Sequence, residues 1–310
     1  MQLGASIAAG ALGSDPAAIR DYAQAAEELG FSYLLAPDHV LGANPEAGDT
    51  TPGAAAFNTN YRRVGTTVTP YHDPFVLFAF LAGCTKTIGF TTGVLILAQR
   101  QAALVAKQAA SLDVLCGGNG RFRLGIGVGW NEIEFVGLGM DFHTRGKHSA
   151  EQVRVMQALW AEPHVKFEGE FHHIDDAGIN PRPSSGRVPI WYGGHAEVTF
   201  RRAARYGDGF MPLAYPMGDQ ALAAFDKLRG LLRENGRDQA TFGLEVWVSP
   251  GVGTEDDWRK EIAFWKNAGV THVTAHTTYV SAHHKRIAGK TAAEHLAAVT
   301  SYKKAVEDLL

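Results

Sequence analysis

Segments with the pattern of β-strands alternate with segments patterned as α-helices along the whole of this 310-residue chain. Nothing else in the sequence narrows the fold as far. LGASIAA reads as a first strand, and Asp15-Pro16 then opens a helix, with Asp as its cap and Pro at its first position. Ile19, Tyr22, Ala23, Ala26 and Leu29 recur at helical spacing until Gly30 stops them. FSYLLAPDHV, KTIGFTTGVLIL, RFRLGIGVG, VPIWYGG, GFMPLAY, GLEVWVS and THVTAHTTY read as the following strands. Between them lie helices starting near Asp73-Pro74, Ala102, Lys147, Val198, Asp219 and Thr254, and TAAEHLAAVTSYKKAVEDLL closes the series. Parallel strands need helical crossovers, and eight such units close most economically as a (β/α)8 TIM barrel, an α/β fold. A doubly wound open sheet is the alternative.

With no linker rich in Ser and Gly between the units, the reading is a single domain over residues 1–310. Charged residues make up 20% of the chain and the net charge is only −3, so no global field points to nucleic acid or an anionic membrane. The apolar start carries no Lys or Arg before Arg20 and is too short to span a bilayer. Cys84 and Cys116 form no CxxC pair and read as buried free thiols, which fits a reducing cytoplasm. The histidine pairs His172-His173 and His283-His284 lack helical metal-ligand spacing, so no metal site is expected. GxSxG and Walker motifs are also missing.

Two insertions interrupt the alternation. Leu41–His72, rich in Gly, Pro, Thr and Asn, follows a strand end and reads as a lid or substrate wall. Residues 164–175 (VKFEGEFHHI and its flanks) read as a β-hairpin. In a barrel the C-terminal strand ends point into the catalytic mouth. Strand two ends in Asp38-His39, a carboxylate beside an imidazole able to move protons near neutral pH. Thr92-Gly93-Val94 places a glycine inside a buried strand, the mark of a bulge or of close ligand approach. Gly125, Gly127 and Gly129 alternate ahead of Trp130-Asn131-Glu132, clearing one face on which a flat ring could lie. Gly193-Gly194-His195 precedes a helix whose N-terminal N–H groups could take a phosphate, while Arg201, Arg202 and Arg205 read as that helix's solvated face.

The segments EELGFSYLLAPDH, KTIGFTTGVLIL, AKQAASLDVLCGGNGRFRLGIGVGWNEIEF and VPIWYGGHAEVTFRRAARYGDGF together resemble the bacterial luciferase-like monooxygenase superfamily, in its F420-dependent oxidoreductase branch. The resemblance implies a non-proline cis peptide at Gly93-Val94, a phosphate loop at Gly193, Gly194 and His195, and a redox face lined by Asp38 and His39, with Asp38 orienting His39. It also implies a glutamate proton donor just beyond strand four, for which Glu132 is no clean match. Thr92, Gly93, Val94, Gly127, Gly129, Trp130, Asn131 and the phosphate loop would then hold the cofactor. The function implied is hydride transfer between F420 and a small organic substrate. The alternative is monooxygenation by reduced FMN from a separate reductase, and a non-catalytic flavin-binding protein is a third reading. Arg62, Arg63, Arg145 and Lys147 could form a basic rim for the polyglutamate tail of F420. A homodimer through the second and third barrel helices is the expected assembly.

Overall fold

The computed structural model describes residues 1–44, 46, 67–212 and 215–310. In chain order the strands are β1 (Gln2–Ser6), β2 (Tyr33–Ala36), β3 (Gly89–Thr92), β4 (Leu95–Ile96), β5 (Phe122–Gly127), β6 (Val165–Glu168), β7 (His173–Ala177), β8 (Ile190–Gly193), β9 (Gly209–Met211), β10 (Gly243–Val248) and β11 (His272–Ala275). The helices are α1 (Ala9–Leu12), α2 (Pro16–Glu28), α3 (Pro74–Cys84), α4 (Ala102–Leu115), α5 (Glu132–Gly137), α6 (Arg145–Ala161), α7 (Glu197–Tyr206), α8 (Asp219–Glu234), α9 (Glu255–Asn267) and α10 (Ala292–Val306). The strand order is β3-β2-β1-β11-β10-β9-β8-β5-β4, and β3 also pairs with β5, so the order returns on itself. That closure is the (β/α)8 barrel expected of eight alternating units, not the open sheet.

Local chemistry sets the element ends. The Asp15 carboxylate accepts the Ala17 N–H at 3.0 Å, and Pro16 starts α2 where a missing N–H costs nothing. Thr254 with Asp257 and Thr291 with Glu294 form reciprocal capping boxes at the starts of α9 and α10. Strand three differs from its sequence reading. It breaks into β3 and β4 around a cis Gly93–Val94 peptide, and a 3-10 turn, Leu97–Gln99, follows. Antiparallel β6 and β7 form a hairpin that runs on to Ala177. α5 has no counterpart in the sequence reading, because six residues are too few to show a helical period. Cys116 is buried and Cys84 only partly so, and neither is in a disulfide.

The chain divides into two compact units, each built from separate stretches of sequence: Met1–Ala36, Cys84–Thr91 and Ile190–Leu310 form one, and Pro37–Gly83 and Thr92–Pro189 the other. The first unit has a layered interior. In its lowest layer the Trp191 ring covers Gly209 and Gly243, where a Cβ would meet the indole at 2.3 and 2.1 Å, and it stands edge-on to His272. Above it, the Tyr33 hydroxyl bonds Thr274 Oγ1 at 3.0 Å, and Thr274 Oγ1 donates to Glu245 at 2.6 Å. The next positions on the same strand faces are Ser6, Trp247 and His276. In the second unit Ile96, Ala98 and Phe135 form a small core with Val94, Met140 and Phe142 against it. Among the described residues no helix is long and apolar enough to cross a membrane.

Candidate active site

Within the second unit, the chemistry-bearing residues gather around the end of β2 and the stretch that follows the cis peptide. Asp38 is buried, and its carboxylate accepts the Ile96 backbone N–H at 3.1 Å and Arg100 Nη2 at 2.8 Å. Arg100 Nη1 in turn reaches Asp73 at 2.9 Å. Burial pushes the Asp38 carboxyl up from its ordinary pKa, and Arg100 beside it pulls the other way. Asp38 therefore pins the backbone just beyond Gly93-Val94. It does not orient His39, and the sequence reading is corrected on that point.

The partner of His39 is Glu134. His39 Nδ1 lies 2.8 Å from Glu134 Oε1, with side-chain exposures of 11% and 1%. A carboxylate can only accept, so Nδ1 carries the proton and Nε2 of the neutral ring keeps its lone pair. Glu134 Oε2 accepts a hydrogen bond from Gln99 Nε2 at 2.8 Å, so both carboxylate oxygens are fixed. The Tyr71 ring lies 5.0 Å from the imidazole, and Trp130 meets it edge-on at 6.4 Å. Burial raises the Tyr71 phenol pKa, keeping the group neutral. Sequence reasoning looked at Glu132 and missed Glu134, two positions later on α5. No helical period separates the two: on this six-residue helix Glu132 lies three positions and Glu134 one position from inward-facing Phe135.

The glycines after β4 do a different job from the one expected. A Cβ on Gly127 would meet Val94 at 2.6 Å, and one on Gly129, whose φ is +75°, would meet Ile96 at 2.6 Å. Their bare faces are filled by side chains from the stretch following the cis peptide, and no flat open floor results. Thr92 Oγ1 donates to the Gly125 carbonyl at 2.6 Å, tying β3 to β5. Asn131 caps α5 through its backbone, and its buried Nδ2 has no partner. Arg145 turns inward as well: Nε donates to the Gly129 carbonyl at 3.1 Å, Nη1 to that of Phe142 at 2.6 Å, and the guanidinium lies 3.6 Å from the Phe142 ring centre. It braces the Gly129 turn and is no part of a basic rim. Lys147 is exposed. Arg62, Arg63 and most of the lid-like stretch 41–72 lie outside the described residues.

In the first unit, Gly193 ends β8, and Gly194, with φ +133°, leads through exposed His195 to α7. The cap residue of α7 is Ala196, with no side-chain cap, and while the Thr199 N–H donates to the Ala196 carbonyl at 2.8 Å, those of Glu197 and Val198 remain available to an anion. Glu197 turns to Arg201 and Lys227, at 2.8 and 2.7 Å. His195 meets Tyr215 edge-on at 5.7 Å.

Comparison with known proteins follows the same lines. A family described as luciferase-like monooxygenase matches residues 1–307. An uncharacterized protein of Mycobacterium tuberculosis is 36% identical over 61% of this chain, and the match spans 62% of that relative's length. A pyrimidine monooxygenase of Allorhizobium ampelinum is 32% identical over 63% of this chain and 52% of its own. An F420-dependent glucose-6-phosphate dehydrogenase of Intrasporangium calvum is 27% identical over 91% of this chain and 80% of its own. Among solved structures, an F420-dependent secondary alcohol dehydrogenase bound to an F420–acetone adduct superposes with a TM-score of 0.74 at 18% identity, covering 98% of each chain. A monooxygenase from Streptomyces bottropensis gives the same TM-score and identity over 97% of this chain and 98% of its own.

Proposed function

Since the chain belongs to the luciferase-like monooxygenase family, we propose that it is an F420-dependent oxidoreductase that moves a hydride between the deazaflavin and a small organic substrate. The observation that carries this reading is the buried Glu134–His39 pair, 2.8 Å apart, with Gln99 behind it. When bound, F420 supplies the redox chemistry. Oxidation of an alcohol by hydride loss needs a base for the hydroxyl proton, and His39 Nε2 carries the lone pair to take it. Glu134 holds the tautomer that frees Nε2, and it stabilises the imidazolium that forms. Asp38 and Arg100 keep the backbone after the cis peptide in place.

Asn131 offers an unpartnered buried amide N–H in the second unit, where Thr92, Gly93, Val94, Gly127, Gly129 and Trp130 form the surrounding framework. In the first unit, Gly193, Gly194 and His195 before the uncapped α7 N-terminus would take a phosphate.

A second reading keeps the fold and uses reduced FMN from a separate reductase to activate oxygen. The pyrimidine monooxygenase relative favours it. Titrating the purified protein with F420 and with FMN, followed by absorbance and oxygen consumption, separates the two. Saturable F420 binding without oxygen uptake is the expected result. FMN binding with oxygen uptake, and indifference to F420, would replace the first reading with the second.

We also propose a homodimer. On α3, Val76 and Phe80 are 69% and 41% exposed, and on α4, Leu104 and Leu115 are 51% and 70% exposed. These are apolar faces that a second copy would cover.

A further inference from the structure

The first unit holds a group of polar side chains that the proposed proton chemistry does not use. Ser6, Trp247 and His276 lie on adjacent β1, β10 and β11 or just past their ends, in the layer above Tyr33, Thr274 and Glu245. The register places Trp247 opposite Thr274 and Ala275 opposite Ala5, and the ladder runs on through the His276 N–H, which donates to the Val248 carbonyl at 2.8 Å. All three residues are more than nine-tenths buried. The Ser6 hydroxyl and the Trp247 indole N–H have no hydrogen-bond partner.

His276 is held in one tautomer. Its Nδ1 accepts the Tyr279 backbone N–H at 3.1 Å, so Nε2 bears the proton and can only donate. No described residue takes that proton. Burial, with His284 nearby, pulls the imidazole down to a pKa of about 3, so the ring stays neutral. His284 cannot serve as the partner. Its Nε2–H donates to the Trp247 carbonyl at 2.9 Å, and its Nδ1 accepts from Ser281 Oγ at 3.0 Å. The Trp247 ring rests 4.8 Å from His276 and meets Tyr279 edge-on at 5.0 Å.

A buried donor left unmet costs free energy, and native interiors keep few of them. Here the buried Trp247 N–H and Ser6 hydroxyl go unmet, and the His276 Nε2–H stands beside them, at the strand ends where barrels of this class hold their substrates. What satisfies them must be an acceptor. A neutral acceptor suits them better than an anion: none of the three carries charge, and Glu245 in the layer below offers no countercharge, so a buried carboxylate would go unpaired.

We propose that Ser6, Trp247 and His276 form an acceptor-binding layer that takes a neutral carbonyl oxygen of an organic substrate. This assignment rests on the reading of the chain as an oxidoreductase acting on such a substrate. His276 Nε2–H is the principal donor, and the Trp247 ring packs the carbon skeleton.

The test uses the cofactor-free protein labelled with 15N, with cyclohexanone as the neutral probe and sodium cyclohexanecarboxylate as the anionic one. The Trp247 indole resonance, identified by its loss in W247F, is expected to shift and saturate with the ketone and to stay put with the carboxylate. H276F keeps the ring's shape and removes the donor, and it is expected to weaken the ketone about tenfold. H276Q restores an N–H at that place and is expected to recover most of the binding, which separates loss of the donor from loss of the fold. An indole resonance indifferent to the ketone, an equal response to the carboxylate, or H276F binding like the parent would each overturn the assignment. F420 and FMN titrations on the same samples test the redox reading separately. Ketone binding with neither cofactor bound would defeat that reading and leave the layer standing.

Discussion

In the proposed proton chemistry His39 and Glu134 divide one task. The imidazole is useful only if Nε2 holds a lone pair, and the Glu134 carboxylate secures this by accepting from Nδ1. An amide at position 134 can present its N–H to Nδ1 and stabilise the opposite tautomer. E134Q is therefore expected to lower kcat by about a hundredfold or more with little change in KM, in steady-state turnover with the bound cofactor. An undiminished kcat would remove the pair from the mechanism. Asp38 predicts differently, because it touches backbone and Arg100, not the imidazole. D38N leaves Arg100 half-paired in a buried place and is expected to cost about 3 kcal/mol in urea unfolding. Asp38-His39 was legible in the sequence as adjacent polar residues at a strand end. Which carboxylate faces the imidazole was not legible, since that depends on the turn at Gly129 and the entry angle of a six-residue helix.

Single carboxylates also fasten elements where no hydrophobic period marks the join. Glu27, at the end of α2, accepts the backbone N–H groups of Lys86, Thr87 and Ile88 as the chain enters β3. Burial works against its charge, but those donors hold its carboxyl at about 2, below the ordinary 4.5. The unfolded chain binds this proton first as pH falls, so the contribution is full above pH 4.5 and is lost as pH drops toward 2. E27Q is expected to cost about 1–2 kcal/mol at pH 7, and the gap to the parent should narrow as pH falls from 4.5 toward 2 in urea titrations. A pH-independent gap would assign the effect to packing. Glu151 on α6 does the same for the β6–β7 hairpin. It takes the N–H groups of Glu170, Phe171 and His172, each at 2.8 Å, and the ring of His172 at 2.9 Å. A Cβ on Gly169 would run into that carboxylate at 2.5 Å. E151A should leave the fold intact and speed amide exchange at residues 170–172, and unchanged exchange there would argue against the clasp. The hairpin itself was legible from its alternation and central glycine. The helix that clasps it was not, because the contact joins residues nineteen to twenty-one apart through one side chain.

At the scale of the molecule, the eightfold alternation carried the barrel, since parallel strands joined by helices have few ways to bury both faces. Gly93 inside a buried strand marked an irregularity there, while its cis peptide came from family resemblance alone, and the glycine periodicity of β5 was legible but misassigned. A glycine reports close approach without saying whether ligand or side chain approaches, and here Val94 and Ile96 do. The remaining question at this scale is what covers α3 and α4. An amphipathic barrel helix keeps its polar residues outward, yet Val76 and Phe80 lie one turn apart on the exposed side of α3, and Leu104 and Leu115 lie three turns apart on α4. A stable pair needs roughly 1,200–2,000 Å² of total buried surface, and two such helices per copy can supply much of it. Sedimentation velocity is therefore expected to show a dimer at micromolar concentration. The double variant V76E/L115E is expected to sediment as a monomer with a near-parental circular dichroism spectrum, because both positions are exposed within one chain. A parental protein that sediments as a monomer, or a variant that stays dimeric, would place the interface elsewhere or abolish it.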